Sequence, residues 1–387
     1  MDFTLTEEQQ LLRDSVAGYL GAKYDLESSR AAAKSAAGWQ PDVWRGFAEE
    51  LGILGAALPE DVGGDGGGPI ETMVIAEELG RALVVEPFVD TVVLGGGLLA
   101  GAGGERASAV LRDIVLGKAR VAFASLEADS GAVPLHVGTS ARRDGESWVI
   151  DGAKVVVVGV PAATHLVVSA RTSGGRLDDA GISLFLTEFD ASAPPEGVRV
   201  HPYRTIDDRA AADLEFTGCR LPADALLGAE GEAGETISAA VDAATAAICA
   251  EAVGCLRKVL SDTVEYAKQR HQFGVPIGSF QVLQHRMVDM YIELEQSVAA
   301  AHLAAHALTA APPARARAVS AAKATISRAA RFVGQNAVQL HGAMGMTEEL
   351  AIGHYFKRLT ALEREHGTAD HHRTRYAHLT RPQPTRA

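Results

Sequence analysis

Residues 237–260 read ISAAVDAATAAICAEAVGCLRKVL, and the apolar positions Ile237, Val241, Ala244, Ile248, Ala252, Cys255 and Val259 recur at steps of three and four without a break. That period marks one face of an α-helix, so the stretch predicts a long helix packed lengthwise against others. Two more follow, one through Leu283, Met287, Met290, Leu294 and Val298, the other through Val319, Ala322, Ile326, Val333 and Leu340. Three to four such helices in antiparallel contact make a bundle, and the alanines on their faces allow close approach. Residues 310–318, which include Pro312 and Pro313, read as a connection between helices.

Upstream of this block the period changes to that of strands. Short β-branched runs stand at 155–158, 165–170, 182–186 and 212–216, while Asp144-Gly145 and Asp151-Gly152 supply hairpin-turn chemistry. No helical pattern separates these runs, which predicts a β-barrel or sandwich rather than a doubly wound sheet. Nearer the N-terminus, Thr6 and Gln9 have the spacing of a capping box, with Leu12, Val16, Tyr19 and Leu20 on one helical face behind it. Helical patterns continue at 43–54, 70–83 and 98–115. Residues 61–68, DVGGDGGG, read as a flexible interhelical turn, because no strand precedes them and the Lys and Ser/Thr of a P-loop are missing. The switches near Arg120 and after Pro222 divide the chain into a helical domain (1–118), a β-barrel (119–228) and a C-terminal four-helix bundle (229–387). The fold class is α+β, mainly α.

The chain has 387 residues, 36 Lys and Arg against 49 Asp and Glu, and a formal net charge of −13, which argues against general affinity for nucleic acid or anionic membranes. Three cysteines, Cys219, Cys249 and Cys255, are too few for a disulfide framework or a four-thiolate zinc site, so a reducing cytoplasm is the simplest compartment. The acidic start MDFTLTEEQQ does not have the basic and apolar regions of a signal peptide. The apolar run at 91–101 is too short and too rich in Gly to be a membrane span.

Specific motifs across nearly the whole chain resemble the acyl-CoA dehydrogenase family. The strongest is YAKQRHQFGVPIGSFQ (266–281), similar to Y-x-x-x-R-x-Q-F-G-x-P-I-x-x-F-Q. The second is QLHGAMGMTEE (339–349), similar to Q-x-x-G-G-x-G-x-x-x-E. FTLTEEQQLLRDSV (3–16) and LGILGAALPEDVGGDG (51–66) are weaker matches. The resemblance implies FAD held across a subunit interface by Arg270, Gln272, Phe273, Gln339, Gly342, Gly345 and Thr368. An arginine forks to pyrophosphate oxygens, an aromatic offers an apolar face, an amide hydrogen-bonds the cofactor and glycines admit close backbone. It implies α,β-dehydrogenation of an acyl-CoA thioester, in which a carboxylate removes the α-proton while the β-hydride passes to the flavin.

The chemical centre departs from that pattern. The family's base is the Glu of Y-E-G-T, and matching Gly367 and Thr368 within EREHGTADHHR (363–373) puts His366 in its place. In other members the base stands on the first long bundle helix, and the same spacing falls at or near Ala244, which cannot accept a proton. His366 is therefore the candidate base, and the adjacent Glu365 a second, though one residue along a helix turns a side chain by about 100°. His366, Asp370, His371 and His372 suit a solvated helix end, and no metal is expected. On the barrel side, LEADSGAVPL (126–135) keeps Glu127 but loses the rest of the T-E-P-x-A-G-S-D loop. The W-[IT]-[TS]-N strand has become Val156, Val157, Val158 and Gly159, which read as β-core.

The bundle half of the flavin site thus survives while the chain's own barrel half and base have decayed. This is the pattern of a non-catalytic subunit that completes a partner's FAD site in a heteromeric acyl-CoA dehydrogenase. The alternatives are a self-sufficient homomer using His366 or Glu365, and an assembly protein of the same fold without flavin. The expected partners are an acyl-CoA substrate and a second subunit, identical or of the same family, in a homo- or hetero-oligomer.

Overall fold

The computed structural model describes residues 3–35 and 37–381. Helices, then strands, then long helices follow in the expected order. Packing gathers them into two units, one of Met1–Leu20, Met73–Val84 and Thr245–Ala387, the other of Gly21–Thr72 and Val85–Ala244. The early helices are α1 (Glu7–Lys23), α2 (Leu26–Lys34), α3 (Pro41–Glu49), α4 (Pro69–Arg81), α5 (Gly96–Ala102) and α6 (Glu105–Val115). Eight strands follow: β1 (Val121–Ala124), β2 (Ser140–Asp144), β3 (Ser147–Val158), β4 (His165–Arg171), β5 (Ile182–Glu188), β6 (Val198–Arg204), β7 (Ala210–Pro222) and β8 (Leu226–Leu227). Helix α7 (Gly234–Gln269), the small ribbon β9 (His271–Gln272) and β10 (Val275–Pro276), and helices α8 (Gln281–Ala307), α9 (Pro312–His341), α10 (Ala351–Arg364) and α11 (Ala369–Thr380) complete the chain.

In the first unit, α1 starts with the predicted capping box: the Thr6 amide donates to Gln9 Oε1 at 3.1 Å and the Gln9 amide to Thr6 Oγ1 at 3.2 Å. Helix α9 is the centre of the bundle, with α8, α10 and α11 all packed on it. It begins at Pro312 rather than after a 310–318 connection, because the first amides of a helix have no intrahelical acceptor and a proline there forfeits nothing. Helices α4 and α7 meet backbone to backbone. A Cβ added at Gly80 would lie 2.0 Å from the Glu251 carbonyl oxygen, and one at Gly254 only 1.8 Å from that of Glu77. Helix α7 has a window long and apolar enough to cross a membrane, yet 83% of it is buried inside the protein, as befits a core helix.

In the second unit the strands form one sheet in the order β6-β7-β3-β2-β4-β5-β8, with β1 also paired to β4. Trp148, Ile150, Val157, Leu166, Val168, Phe185, Leu214 and Phe216 fill its interior. The Asp144-Gly145 hairpin joins β2 to β3 as expected. Asp151-Gly152 does not turn the chain: it lies inside β3, where the pairing with β7 slips between Ile150 and Gly152. Gly152 is needed there because a Cβ would stand 2.7 Å from the Thr139 Cα. The 98–115 pattern is two helices, broken where Gly103 and Gly104 take φ of +69° and +90°. The 61–68 turn is compact rather than flexible. Its glycines allow contact with backbone, so a Cβ at Gly64 would meet the Leu58 carbonyl oxygen at 2.3 Å and one at Gly67 that of Ala56 at 2.4 Å.

The α4–α7 crossing sets up a signed test. Gly to Ala within a helix normally gains about 1 kcal/mol, and Gly18→Ala in α1, where nothing lies within 4 Å of the added methyl, should raise unfolding free energy in urea by up to that amount. Gly254→Ala should instead lower it by about 1–3 kcal/mol through overpacking, with the same denaturation measurement deciding both.

Candidate functional site

The two long motifs are brought together at one end of the bundle by an aromatic stack. The Tyr266 ring, one turn before the end of α7, lies 4.3 Å from the His341 ring, centroid to centroid and nearly parallel, at the last residue of α9. Just beyond Tyr266, β9 and β10 pair antiparallel around Phe273 and Gly274, whose φ values are +55° and +82°. Positive φ at both central residues makes a type I′ turn. It presents Phe273 outward, 93% exposed, with the Phe280 ring edge-on at 6.1 Å between centroids. Arg270 and Gln272 flank it on the surface, and the Arg270 guanidinium makes no ion pair among the described residues. Beyond His341, Gly342 has φ +61° with open space where a Cβ would sit, and Gly345 packs on Val338. Gln339 is exposed one turn earlier. An unengaged guanidinium, an outward aromatic, a free amide and open glycine backbone fit the pyrophosphate and ring system of FAD. Thr368 stands apart from this group, as the N-cap of α11 accepting from the His371 amide at 3.3 Å.

His366 and Glu365 lie in the turn between α10 and α11. His366 has φ +53°, and its Nε2 is buried without a hydrogen-bond partner. Burial holds its imidazole below the ordinary histidine value; Glu365 opposes this, while Lys323 and Arg358 reinforce it. Glu365 is engaged: Arg358 Nη1 donates to it at 3.1 Å, and the other face of the same guanidinium makes a bidentate pair with Glu251 at 2.6 and 2.9 Å. His372 donates from Nε2 to the His366 carbonyl at 2.9 Å and faces Ser320 Oγ through Nδ1 at 3.4 Å, with burial bringing its pKa down to about 3. Ala244 is fully buried, as a small residue in α7.

Sequence reading missed Lys323, Glu251 and Arg358. All three occupy positions on apolar helical stripes, Lys323 between Ala322 and Ile326 and Arg358 between Tyr355 and Leu362, and a charge in such a stripe was the available signal.

On the barrel side Glu127 accepts from the Gly138 and Thr139 amides and pairs at 2.9 Å with Lys154, which is fully buried and has its pKa pushed down to about 8 by that burial. The valine strand is not simple β-core. Only Val157 is buried; Val156 has φ +52° in a bulge opposite β7 and is 48% exposed, its amide donating to Asp213 Oδ1 at 2.9 Å. One extra residue between Lys154 and Val157 turns that side chain outward.

A helical unit, a middle sheet and a long-helix bundle with an arginine–phenylalanine hairpin define an acyl-CoA dehydrogenase-type flavoenzyme scaffold. The chain belongs to the acyl-CoA dehydrogenase family of oxidoreductases: the family's N-terminal domain matches residues 6–115, its middle domain 122–219 and its C-terminal domain 235–378. Acyl-CoA dehydrogenase FadE12 of Mycobacterium tuberculosis is 31% identical over 365 residues, 90% of each chain. A chain of the ChsE4–ChsE5 complex from Mycobacterium tuberculosis superposes with a TM-score of 0.87 at 27% identity, covering 99% of this chain and 100% of that one. A variant of the Tcur3481–Tcur3483 steroid ACAD gives a TM-score of 0.83 at 29% identity, covering 97% of this chain and 98% of that one.

Both His366 and His372 have folded-state values below the ordinary ~6.5. The unfolded chain therefore takes up protons that the folded one refuses as pH falls through 6.5, so stability present above that pH is lost below it, down to about 3 for His372. Urea unfolding should show lower stability at pH 5 than at pH 7, by up to about 1.4 kcal/mol per pH unit per histidine. His372→Gln, which keeps a donor but cannot titrate, should reduce that difference.

Proposed function

We propose that this chain is the non-catalytic subunit of a heteromeric acyl-CoA dehydrogenase, completing the FAD site of a partner that desaturates an acyl-CoA thioester. The observation that carries this is the opposite state of its two half-sites: Arg270, Phe273 and Gln339 stand exposed, whereas Glu365 beside residue 366 is engaged with Arg358, which also holds Glu251. FAD supplies the hydride acceptor. Around it this chain would contribute the Arg270 fork for the pyrophosphate, the Phe273 ring as an apolar wall, the Gln339 amide, the Gln272 amide once it leaves the His271 carbonyl, and open backbone at Gly342, with Gly345 packed on Val338 behind it. Thr368, set apart from these residues, keeps its hydroxyl in the N-cap of α11.

Removal of an α-proton needs an acceptor that holds it. His366 would have to become an imidazolium, which burial opposes, with Lys323 and Arg358 acting in the same direction against the pull of Glu365. The exposed apolar residues Val282, Val288, Tyr291 and Ile292 along α8 give a partner a face to cover. The ChsE4–ChsE5 and Tcur3481–Tcur3483 structures are each named for two different chains, which supports a partner of the same family. The unpartnered Nε2 favours the second reading, a homomer with His366 as base. Because none of its three cysteines forms a disulfide, we place the protein in the cytoplasm.

Protein purified alone should carry little flavin and not turn over acyl-CoA esters with a ferricenium acceptor, while co-expression with a family partner should yield a yellow, active oligomer by light scattering. In that complex Arg270→Ala should lower flavin content several-fold with little change in unfolding, and His366→Ala should leave turnover within about twofold. Robust turnover by the lone chain that His366→Ala abolishes would establish the homomeric reading instead.

A further inference from the structure

The turn that carries residue 366 is fastened from two helices. From α9, the Lys323 ammonium donates to the carbonyl oxygens of Leu362, Glu363 and Gly367 at 2.8, 3.2 and 3.0 Å, and to Ser327 Oγ at 3.1 Å. The first two acceptors lie in the last turn of α10, where carbonyls have no intrahelical donor. From α11, His372 holds the His366 carbonyl. Gly367, at φ +110°, passes so close to α11 that a Cβ would lie 2.7 Å from the His371 ring. His366 between them keeps a left-handed backbone, which a side chain of its size adopts only when its surroundings impose it.

Lys323 is 2% exposed and makes no ion pair among the described residues; its partners are three carbonyls and a hydroxyl. Its charge is therefore not cancelled by a carboxylate in contact. The other charged or titratable groups near His366 are Arg358 and Glu363 of α10, Glu365 beside it in the turn, and His371, His372 and Arg375 of α11, with Glu251 and Cys249 reaching in from α7. Glu365 and Glu251 are both directed at Arg358, so of the two cations that act on the imidazole Lys323 is the one without a carboxylate in contact.

We propose that Lys323 is a positioning residue for residue 366: it ties the turn in its left-handed form through three carbonyls and sets a buried ammonium close to the imidazole. This rests on the reading that 366 stands at the family's reaction centre, but the ring itself can be measured whether or not the chain turns over substrate. Full-length protein labelled at histidine is titrated by NMR from pH 5 to 8, with the His366 signal assigned by its loss in His366→Gln. In the unaltered chain that signal should stay nearer the neutral form than an exposed imidazole across this range. Lys323→Met should raise its midpoint, while burial and Arg358 still hold it below the ordinary histidine value. Lys323→Gln, which keeps donors for the carbonyls but no charge, should give a smaller rise and decides the matter should the Met variant fail to fold. A folded variant that has lost thermal stability while the His366 midpoint does not move would make Lys323 a packing residue and overturn the proposal. Turnover and flavin content, which test the partner reading, do not enter this measurement.

Discussion

The tightest constraint in the bundle is the meeting of α4 and α7 at Gly80 and Gly254. With no side chain on either, two helix backbones come within the space of a methyl group, and the thiol of Cys255 reaches the Gly80 carbonyl at 3.2 Å. Each glycine lies three residues after a buried acid, Glu77 and Glu251, so the crossing also fixes where two carboxylates stand. Glu77 receives Arg13 at 3.2 Å and Arg257 at 2.7 Å. Glu251 receives Arg358, and the Tyr355 hydroxyl on the same helix donates to the Arg81 carbonyl next to the crossing. Helix α10, and the turn after it, are thus located by a contact that only glycine permits.

Buried ion pairs seldom add much net stability, because removing charges from water costs about what their attraction returns. Their effect here is to select one arrangement. A guanidinium with carboxylates on two sides admits few other placements, and Arg358 holds Glu251 and Glu365 so that α7, α10 and the following turn have one register. The same contact holds the Glu365 carboxylate against a guanidinium. One side chain thus sets both the register of these elements and the direction of that carboxylate.

Much of this was legible in the chain. Three-and-four spacing located the long helices, β-branched runs and Asp144-Gly145 located strands, and the 266–281 motif pointed to the acyl-CoA dehydrogenase family. What was illegible depended on neighbours distant in sequence. Asp151-Gly152 looks like a turn until Thr139 is seen pressed against it. The glycines at 61–68 look loose until the carbonyls of Ala56 and Leu58 are found beneath them. Val156 reads as core because a valine run does not reveal a bulge. Lys323 was hidden by the opposite effect, a charged residue whose partners are backbone carbonyls and so leave no trace in side-chain composition.

The Phe273 hairpin has a consequence for how its ring can move. Both central residues of the two-residue turn have positive φ, and the ring stands almost wholly in water. To swing inward it would have to undo the β9–β10 pairing, so the aromatic is a set anchor rather than a side chain that folds back on its own surface. Any surface that meets the hairpin finds that anchor already in place, without an ordering cost at the moment of contact.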